Sequence, residues 1–497
     1  MLYWRARNHN LWSQNLIEVK TPDWVKDAIF YQIFPDRFAK SERVEKPHNL
    51  EAWNAPPTTF GYKGGDLYGV VEHLDYLRDL GITAIYFCPI FQSTANHRYH
   101  THDYFQVDPI LGGNAAFKTL LDAAHARGIR VVIDGVFNHA SRGFYQFNHA
   151  LENGAASPYV DWFTFRGFPV RAYEDPINYE AWWNLAALPK FNHQNPQVRE
   201  FIMRVAEYWV REGIDGWRLD VPAEIDDDEF WREFRSRVKA INPDAYIVGE
   251  IWHRADRWLQ GDQFDAVMNY QFTRACLEFF IDDHDYSLVQ EVSYGAIRSV
   301  SADEFSRTLG DLITWYPPEI AHAQMNLLDS HDTARFITIA RGDTSALKLA
   351  LFTMFCYVGA PTIYYGDEIA LEGAKDPDSR RAMIWEPSAH GREMIEFVKH
   401  LTALRKKYVA LKRGKMTQIY ANGKVLAFAR HEPGSETVII AINAGREPIT
   451  LDLRAERLLN NGERLVEEWT RAETVIEEGY ARGIQIAPRE ASVWVAQ

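Results

Sequence analysis

The sequence predicts an α/β protein: a (β/α)8 TIM barrel, with an inserted subdomain after its third strand and a C-terminal antiparallel β-sandwich. Three observations lead to this fold class. Short apolar runs alternate with segments of helical periodicity, which indicates parallel strands covered by helices. Eight such runs occur, and eight βα units favour a closed barrel over an open doubly wound sheet. Near the C-terminus the pattern changes to β-branched and aromatic runs between turns, which predicts the sandwich.

The eight predicted strands are runs of mostly apolar residues. Before the second, third and fourth of them, a segment with helical spacing ends at a glycine, namely Gly81, Gly128 and Gly213. The runs are residues 28–34, 82–88, 129–134, 216–220, 246–250, 266–269, 324–329 and 361–366.

The segment between the third and fourth strands is far longer than an ordinary βα connection. It is rich in aromatic residues, whereas disordered segments are poor in them, so we predict a folded subdomain over the C-terminal face of the barrel rather than a loose loop. The predicted division is 1–138 and 193–412 for the two parts of the barrel, 139–192 for the inserted subdomain B, and 413–497 for the sandwich.

Charge and composition exclude several classes of partner. The chain has 54 Lys and Arg against 68 Asp and Glu, a net charge of −14, so neither nucleic acid nor an anionic membrane is an expected partner. No run approaches the roughly 18 apolar residues of a membrane span, and residues 1–10 lack the apolar core of a signal peptide. A cytoplasmic protein is therefore the default expectation. Cys88, Cys276 and Cys356 are too scattered for a disulfide framework or a spaced zinc site, and we predict buried thiols.

Acidic residues stand at the ends of four predicted strands, at the face of such barrels where active sites lie. They are Asp134, Asp220, Glu250, and the pair Asp329 and Asp332. Any one of them could cap a helix or form a salt bridge, but the convergence of four strand ends indicates a single site. The chemistry that suits such a set is glycoside cleavage. One carboxylic acid protonates the leaving oxygen, and one carboxylate attacks the anomeric carbon or positions water.

Neighbouring residues suggest which of these acids is the nucleophile and which is the general acid. Arg218 lies two residues before Asp220, and alternate strand residues share a face. We expect its guanidinium to lower the pKa of Asp220 and keep it ionised, as a nucleophile requires. Glu250 precedes Ile251 and Trp252, and an apolar, aromatic wall would raise its pKa, which suits a general acid. For Asp134 we predict a structural role in holding the strand end and Arg218.

The segments around these acids resemble the recurring regions of glycoside hydrolase family 13, the α-amylase superfamily. The resemblance implies Asp220 as nucleophile, Glu250 as general acid/base and Asp332 as transition-state stabiliser. It also implies a retaining, two-step mechanism with a covalent glucosyl intermediate at an α-glycosidic bond. His139, Arg218 and His331 would contact the sugar in subsite −1. The matching segments are 134–139, 216–224, 249–253 and 328–332.

Two segments resemble one subgroup, the neopullulanases, cyclomaltodextrinases and maltogenic amylases. They are Leu188-Pro-Lys-Phe-Asn192 and Gly249-Glu-Ile-Trp-His253. In that subgroup Trp252 would stack on a sugar near the cleavage point. The implied reaction is hydrolysis of α-1,4 bonds in cyclodextrins, maltodextrins or pullulan, with α-1,6 bonds as a further target.

Two more loops resemble sugar-binding segments of the family. The segment 96–99 implies that Tyr99 stacks on the subsite −1 ring and that His97 bonds to it. The loop 376–380 implies that Asp376 and Arg380 hold the next sugar. The sequence departs from the family at His100, which stands where an aspartate is usual.

Other departures bear on cofactors and assembly. Calcium needs roughly six to eight oxygen ligands, and the loop 39–46 offers few, so we predict no metal and no cofactor. The subgroup usually carries an N-terminal β-domain, whereas residues 1–27 precede the first predicted strand here. We expect a monomer or a homodimer.

Alternatives stay open at this stage. An α-glucanotransferase or α-glucosidase of the same family would form the same covalent intermediate. The outcome depends on whether water or a sugar hydroxyl reaches that intermediate. A zinc-dependent barrel hydrolase would use the His-x-His pair His100 and His102. A non-catalytic carbohydrate-binding protein would typically have lost one of the three acids, and all three are present.

Overall fold

A computed structural model describes residues 19–289 and 294–497 of the chain. Residues 1–10, on which the prediction of no signal peptide depends, lie outside this range. Eight parallel strands pair side by side in one sheet. They are β1 (Phe30–Ile33), β2 (Ala84–Phe87), β3 (Arg130–Gly135), β4 (Gly216–Leu219), β5 (Tyr246–Gly249), β6 (Ala266–Val267), β7 (Met325–Asn326) and β8 (Ala360–Tyr364).

The sheet closes on itself. Strands β1 to β6 neighbour one another in chain order, and β8 pairs with both β1 and β7. A parallel bridge between Met268 and Met325 joins the end of β6 to β7 and completes the ring. The predicted (β/α)8 barrel is therefore confirmed. The strands are shorter than the apolar runs that predicted them, because flanking residues such as Cys88 and Leu327 are buried in the core without belonging to a strand.

Helices cover the barrel. Gly81 and Gly213 end two of them with left-handed backbones, φ 96° and 109°, which favour glycine. The helices are Asp23–Asp27, Pro35–Phe38, Leu67–Glu72, Leu74–Leu80, Gly113–His125, Tyr145–Asn153, Pro196–Glu212, Asp228–Ile241, Tyr270–Phe280, Ala302–Thr314, Pro318–Ala323, Phe336–Ile339, Thr344–Cys356, Ala389–Lys407 and Val409–Arg413. No helix within the described ranges is long and apolar enough to cross a membrane.

Two excursions lie over the C-terminal face of the barrel. A hairpin of Phe91–Ser93 and Thr101–Val107 follows β2 and carries the segment 96–100 between its strands. The long segment after β3 is folded around buried aromatic rings, including Phe147 and Phe163, and isolated bridges rather than a sheet tie it together. Both excursions place side chains above the strand ends.

The C-terminal strands form an antiparallel sheet, as predicted. They are β9 (Lys415–Asn422), β10 (Val425–His431), β11 (Val438–Asn443), β12 (Ile449–Arg454), β13 (Arg464–Glu467), β14 (Glu473–Glu477), β15 (Tyr480–Ile486) and β16 (Glu490–Ala496). The order β9-β10-β11-β16-β13-β14-β15-β12 brings the two edge strands into contact, so the sheet curls around its own core. Alternate residues face different cores. Ile439 points into the sandwich, whereas Ile440 packs on the barrel. The three cysteines are buried and free, as predicted.

Candidate active site

Arg218 on β4 is fully buried and forms ion pairs with three acidic side chains at the ends of neighbouring strands. Its Nη1 donates to both carboxylate oxygens of Asp134 at 3.0 Å and to Oδ1 of Asp220 at 3.1 Å. Its Nη2 lies 2.9 Å from Oε2 of Glu250. Because β3, β4 and β5 are neighbours in the barrel, acids at their C-terminal ends meet at one guanidinium.

Glu250 is positioned by two further donors. The backbone N–H of Val221 donates to Oε2 and the indole N–H of Trp252 to Oε1, both at 3.0 Å. Val221 has φ 35° and ψ 49°, a left-handed conformation that is strained for a β-branched residue and typical of functional sites. Trp252 stacks on Tyr270, with centroids 3.5 Å apart and planes 6° apart, so one face of the indole is covered by protein.

Asp332 lies in the loop after β7, beside His331 and Arg380. Its carboxylate oxygens lie 3.1 Å from Nε2 of His331 and 3.4 Å from Nη2 of Arg380. Arg380 also pairs with Asp376 at 3.0 Å. About a third of the Asp332 side chain is exposed, so its carboxylate lines an open part of the site.

Tyr99 connects the two groups of acids. Its hydroxyl donates to Oδ2 of Asp134 at 3.0 Å and lies 2.5 Å from Nε2 of His331, on which its ring stacks nearly parallel. The side-chain N–H of Gln32 donates to Nδ1 of His331 at 2.8 Å, which leaves the imidazole proton on Nε2. His97 stacks beside Tyr99 at 5.8 Å. Burial lowers the pKa of His97 and of His331, so both rings are neutral.

His139 follows β3, and the Nε2 atom of its ring forms no hydrogen bond with the protein. Its Nδ1 accepts from the amide of Asn138 at 3.2 Å, and its ring stacks on Trp182 at 5.4 Å. Burial lowers its pKa to about 3, so the ring is neutral and Nε2 carries the proton. That Nε2 is buried without a protein partner. A buried donor of this kind suits a hydroxyl group of a ligand.

Burial dominates the electrostatics of the acids. It raises the pKa of Asp220, Glu250 and Asp332 above ordinary carboxyl values, and that of Asp134 to about 6. Arg218 lowers these pKa values, but burial outweighs it, and the neighbouring carboxylates further raise the pKa of Asp220.

One expectation about pKa values therefore needs correction, and the other agrees with the structure. Asp220 is not held at a low pKa by Arg218, because the desolvation of its carboxylate is the larger effect. The pKa of Glu250 is raised by burial, as expected, and the Trp252 N–H, which donates to the carboxylate, offsets only part of that rise. Because both carboxyl groups are buried on one guanidinium and the pKa of each is raised, the ionisation of one depends on the ionisation of the other.

The structure brings the residues predicted for the site to one end of the barrel, where each except His139 contacts another member of the set. They are Asp220, Glu250, Asp332, His97, Tyr99, His139, Arg218, Trp252, His331, Asp376 and Arg380. Asp329 is not among them, since it is buried beside the helix Phe336–Ile339 and accepts that helix's first N–H. The His139 side chain contacts Asn138 and Trp182 instead of another member of the set.

Sequence reasoning missed several residues that support the site. Gln32 orients His331, and Tyr86 donates to Asp134 at 2.9 Å. Gln32 could have been noticed as the one polar residue of an apolar first strand. Nothing in the sequence pairs Tyr270 with Trp252 or Trp182 with His139, because these contacts join segments far apart in the chain.

The described ranges contain no group of three His, Cys, Asp or Glu side chains arranged to hold a metal ion. Of the pair proposed for zinc, His102 bonds to Oγ1 of Thr94 at 3.2 Å, and His100 meets the ring of His97. Among the residues that the structure describes, the zinc alternative therefore has no third ligand.

Comparisons of the sequence and the structure with known proteins agree with a site for glycoside cleavage. Residues 32–408 match the family described as alpha amylase, catalytic domain, and residues 416–495 match the neopullulanase-like C-terminal domain. A cyclomaltodextrinase of Geobacillus thermopakistaniensis is 46% identical over 459 residues, 90% of this chain and 75% of that protein. An intracellular maltogenic amylase of Bacillus subtilis is 42% identical over 389 residues, 78% of this chain and 63% of that protein. The native Nostoc punctiforme debranching enzyme superposes with a TM-score of 0.88 at 49% identity, covering 96% of this chain and 100% of its own.

The barrel and its cluster of acids define a glycoside hydrolase. The chain belongs to the α-amylase family of these enzymes, and its relatives include cyclomaltodextrinases and maltogenic amylases. Membership of this family excludes the zinc-dependent hydrolase as the class of protein.

Proposed function

We propose that this protein hydrolyses α-1,4-glucosidic bonds in cyclodextrins, maltodextrins or pullulan with retention of anomeric configuration. The observation that carries the proposal is that Asp220 and Glu250 bind the two terminal nitrogens of one buried guanidinium, Arg218. Retaining glycosidases need two carboxyl groups about 5–5.5 Å apart, and a pair that shares one guanidinium is compatible with so short a separation.

In the first step Glu250 protonates the glycosidic oxygen while a carboxylate oxygen of Asp220 attacks the anomeric carbon. The bond to the leaving sugar breaks, and a glucosyl ester forms on Asp220. In the second step the ionised Glu250 takes a proton from water, whose oxygen displaces Asp220 and restores the α configuration. These steps require the proton on Glu250 and an ionised Asp220 when substrate is bound.

The remaining side chains would hold the sugars. The free Nε2 proton of His139 would donate to a hydroxyl group of the sugar in subsite −1, and the His331 ring, whose Nε2 lies beside the Tyr99 hydroxyl, would contact the same sugar. Asp332 would stabilise the positive charge that develops at the anomeric centre, and Tyr99 and His97 would line the same sugar. Asp376 and Arg380 would hold the next sugar. Because Tyr270 covers one face of Trp252, only the other face can stack on a sugar.

Names of relatives support the substrate class. One relative is a cyclomaltodextrinase, and a solved relative is a debranching enzyme, so we include α-1,6 bonds as a second target. The word intracellular in the name of a third relative supports a cytoplasmic location for this protein. A monomer or homodimer stays a prediction.

The test is product analysis by chromatography on β-cyclodextrin, pullulan, soluble starch and maltotriose, with wild type, Glu250→Gln, and the control Glu396→Gln on an exposed helix face. We expect faster cleavage of β-cyclodextrin than of starch, abolished by Glu250→Gln and unchanged by the control. Circular dichroism checks that both variants fold. Equal rates on starch and cyclodextrin, or unchanged turnover in Glu250→Gln, would contradict the proposal.

A further inference from the structure

We propose that Tyr173 and Arg142 form an outer subsite at the rim of the cleft, which binds a neutral glucosyl unit beyond those at the cleavage point. This inference rests on the proposed function, since it takes the ligand to be an α-glucan chain. It concerns two residues of the inserted segment that the catalytic steps do not use.

A line of side chains leads from the proposed catalytic pocket to this rim. His97 stacks beside Tyr99 in the pocket, and His100 meets His97 edge to face with centroids 4.8 Å apart. The backbone N–H of Ser141, next to Arg142, donates to the carbonyl of Thr101 at 3.0 Å, and Thr101 follows His100 in the chain. The charge of Arg142 also helps to lower the pKa of His100 to about 4. Arg142 is therefore close to a residue that touches the pocket.

The ring of Tyr173 lies next to Arg142 and faces solvent. The guanidinium carbon of Arg142 is 4.4 Å from the ring centroid, so the cation covers one face of the ring. Tyr173 is nevertheless 75% exposed, so the other face of its ring is open to solvent. The uncovered face is available to the apolar C–H face of a sugar ring, the contact for which tyrosine is suited.

The loop that carries Tyr173 is braced rather than loose. The side chain of Asn178 accepts the N–H of Arg171 at 2.7 Å and donates to the carbonyls of Gly167 and Pro169 at 2.9 Å each. Arg142 donates to the carbonyl of Ala172 at 2.7 Å. A platform fixed in advance loses little conformational freedom when a ligand binds.

The charges at this place favour a neutral sugar over an anion. In the part of the chain that the structure describes, no carboxylate pairs with Arg142, so its other N–H groups can donate to hydroxyl groups. The nearby His100 is neutral at pH 7 because its pKa is lowered to about 4, mainly by burial. An anionic group would find only one cation here, the guanidinium of Arg142. A glucosyl unit would stack on the ring of Tyr173 and also accept a hydrogen bond from Arg142.

The experiment compares substrates of different length. We would measure kcat/KM on maltotriose and maltoheptaose for wild type, Tyr173→Ala, Arg142→Gln and the control Tyr145→Ala. Tyr145 is also an exposed tyrosine of the inserted segment, but its ring contacts are His149 and Tyr159. Binding of maltoheptaose to Glu250→Gln, with and without Tyr173→Ala, gives a readout that does not depend on turnover.

Tyr173→Ala should lower kcat/KM on maltoheptaose about five- to tenfold, leave maltotriose within about twofold, and weaken maltoheptaose binding by a similar factor. Arg142→Gln should act in the same direction, and the double variant should lose less than the product of the two, because the residues share one subsite. Equal losses on both substrates, or none, in a folded variant would overturn the inference. A wild type that cleaves neither of these maltodextrins, nor β-cyclodextrin, nor pullulan would overturn the proposed function instead.

Discussion

Glu250 has to be protonated when substrate binds, and its surroundings have opposite effects on its pKa. Burial raises the pKa of Glu250, whereas Arg218 and the N–H groups of Val221 and Trp252 lower it. Burial is the largest of these influences. As the pH rises through the raised pKa, the proton is lost and the leaving oxygen can no longer be protonated.

This gives a prediction about pH dependence. With maltotriose, kcat should fall on the alkaline side as Glu250 ionises, whereas with α-maltosyl fluoride that fall should be absent, since fluoride leaves without a proton. Glu250→Gln should keep the first step with the fluoride, in which the ester on Asp220 forms, and should lose hydrolysis of maltotriose. The measurement is a pair of pH–rate profiles. An alkaline limb of the same shape with the fluoride would contradict the role of Glu250.

Much of the site at residue scale could be predicted, because strand ends are visible in the sequence. A polar residue at the end of an apolar run, such as Asp220, has to lie at the mouth of the barrel. The pKa of Asp220 could not be predicted. The sequence reveals the nearby cation at Arg218, but not the depth of burial or the neighbouring acids, which together outweigh it.

At the scale of elements, the long connection after β3 is stabilised by single side chains rather than by a sheet. Asn178 is 9% exposed and makes its hydrogen bonds within the segment 166–178. Its removal would leave the carbonyls of Gly167 and Pro169 without these donors. The barrel strands, by contrast, are held by backbone ladders that no single side chain controls.

We therefore predict that Asn178→Ala opens this loop without unfolding the barrel. The loss of three hydrogen bonds should lower the free energy of unfolding by about 1–3 kcal/mol and make the segment 166–178 a preferred site of proteolysis. Limited proteolysis with mass spectrometry would locate the cut. The control is Asn153→Ala, whose amide contacts only His149 near a helix end. Equal resistance of both variants would show that the loop is held by other contacts.

Element prediction succeeded where periodicity is strong and failed where it is weak. The barrel strands and the helix ends at Gly81 and Gly213 follow from apolar spacing and from glycine. The hairpin Phe91–Ser93 and Thr101–Val107 shows no regular alternation, and its pairing contains register shifts, so its pattern gave no signal. The course of the inserted segment depends on contacts between aromatic rings that the sequence does not order.

At the scale of the whole molecule, a buried cation joins the barrel to the sandwich. Arg430 on β10 is fully buried and donates to the carbonyls of Cys356, at 2.6 Å, and Gly414, at 2.8 and 3.1 Å. Burial lowers its pKa to about 9, and Cys356 is the last residue of a barrel helix. The contact therefore ties the C-terminal sheet to the barrel at the cost of burying a charge.

Arg430→Met should weaken this junction, because the aliphatic chain is kept while the carbonyls lose their donors. We expect the free energy of unfolding to fall by about 2–4 kcal/mol, with the control Arg446→Met, on an exposed loop, within about 0.5 kcal/mol of wild type. Urea denaturation followed by tryptophan fluorescence measures both. A wild-type midpoint for Arg430→Met would show that apolar packing alone joins the two domains.

The most direct test of the account is to trap the sugar on the protein. In Glu250→Gln the fluoride of a maltosyl donor can leave without an acid, but the base for the second step is gone, so the glycosyl ester should accumulate. Intact-protein mass spectrometry should show one added maltosyl unit, and peptide mapping should place it on Asp220, with no adduct in the Asp220→Asn, Glu250→Gln double variant. Consumption of the fluoride without an adduct, or an adduct on another residue, would contradict the assignment of Asp220 as nucleophile.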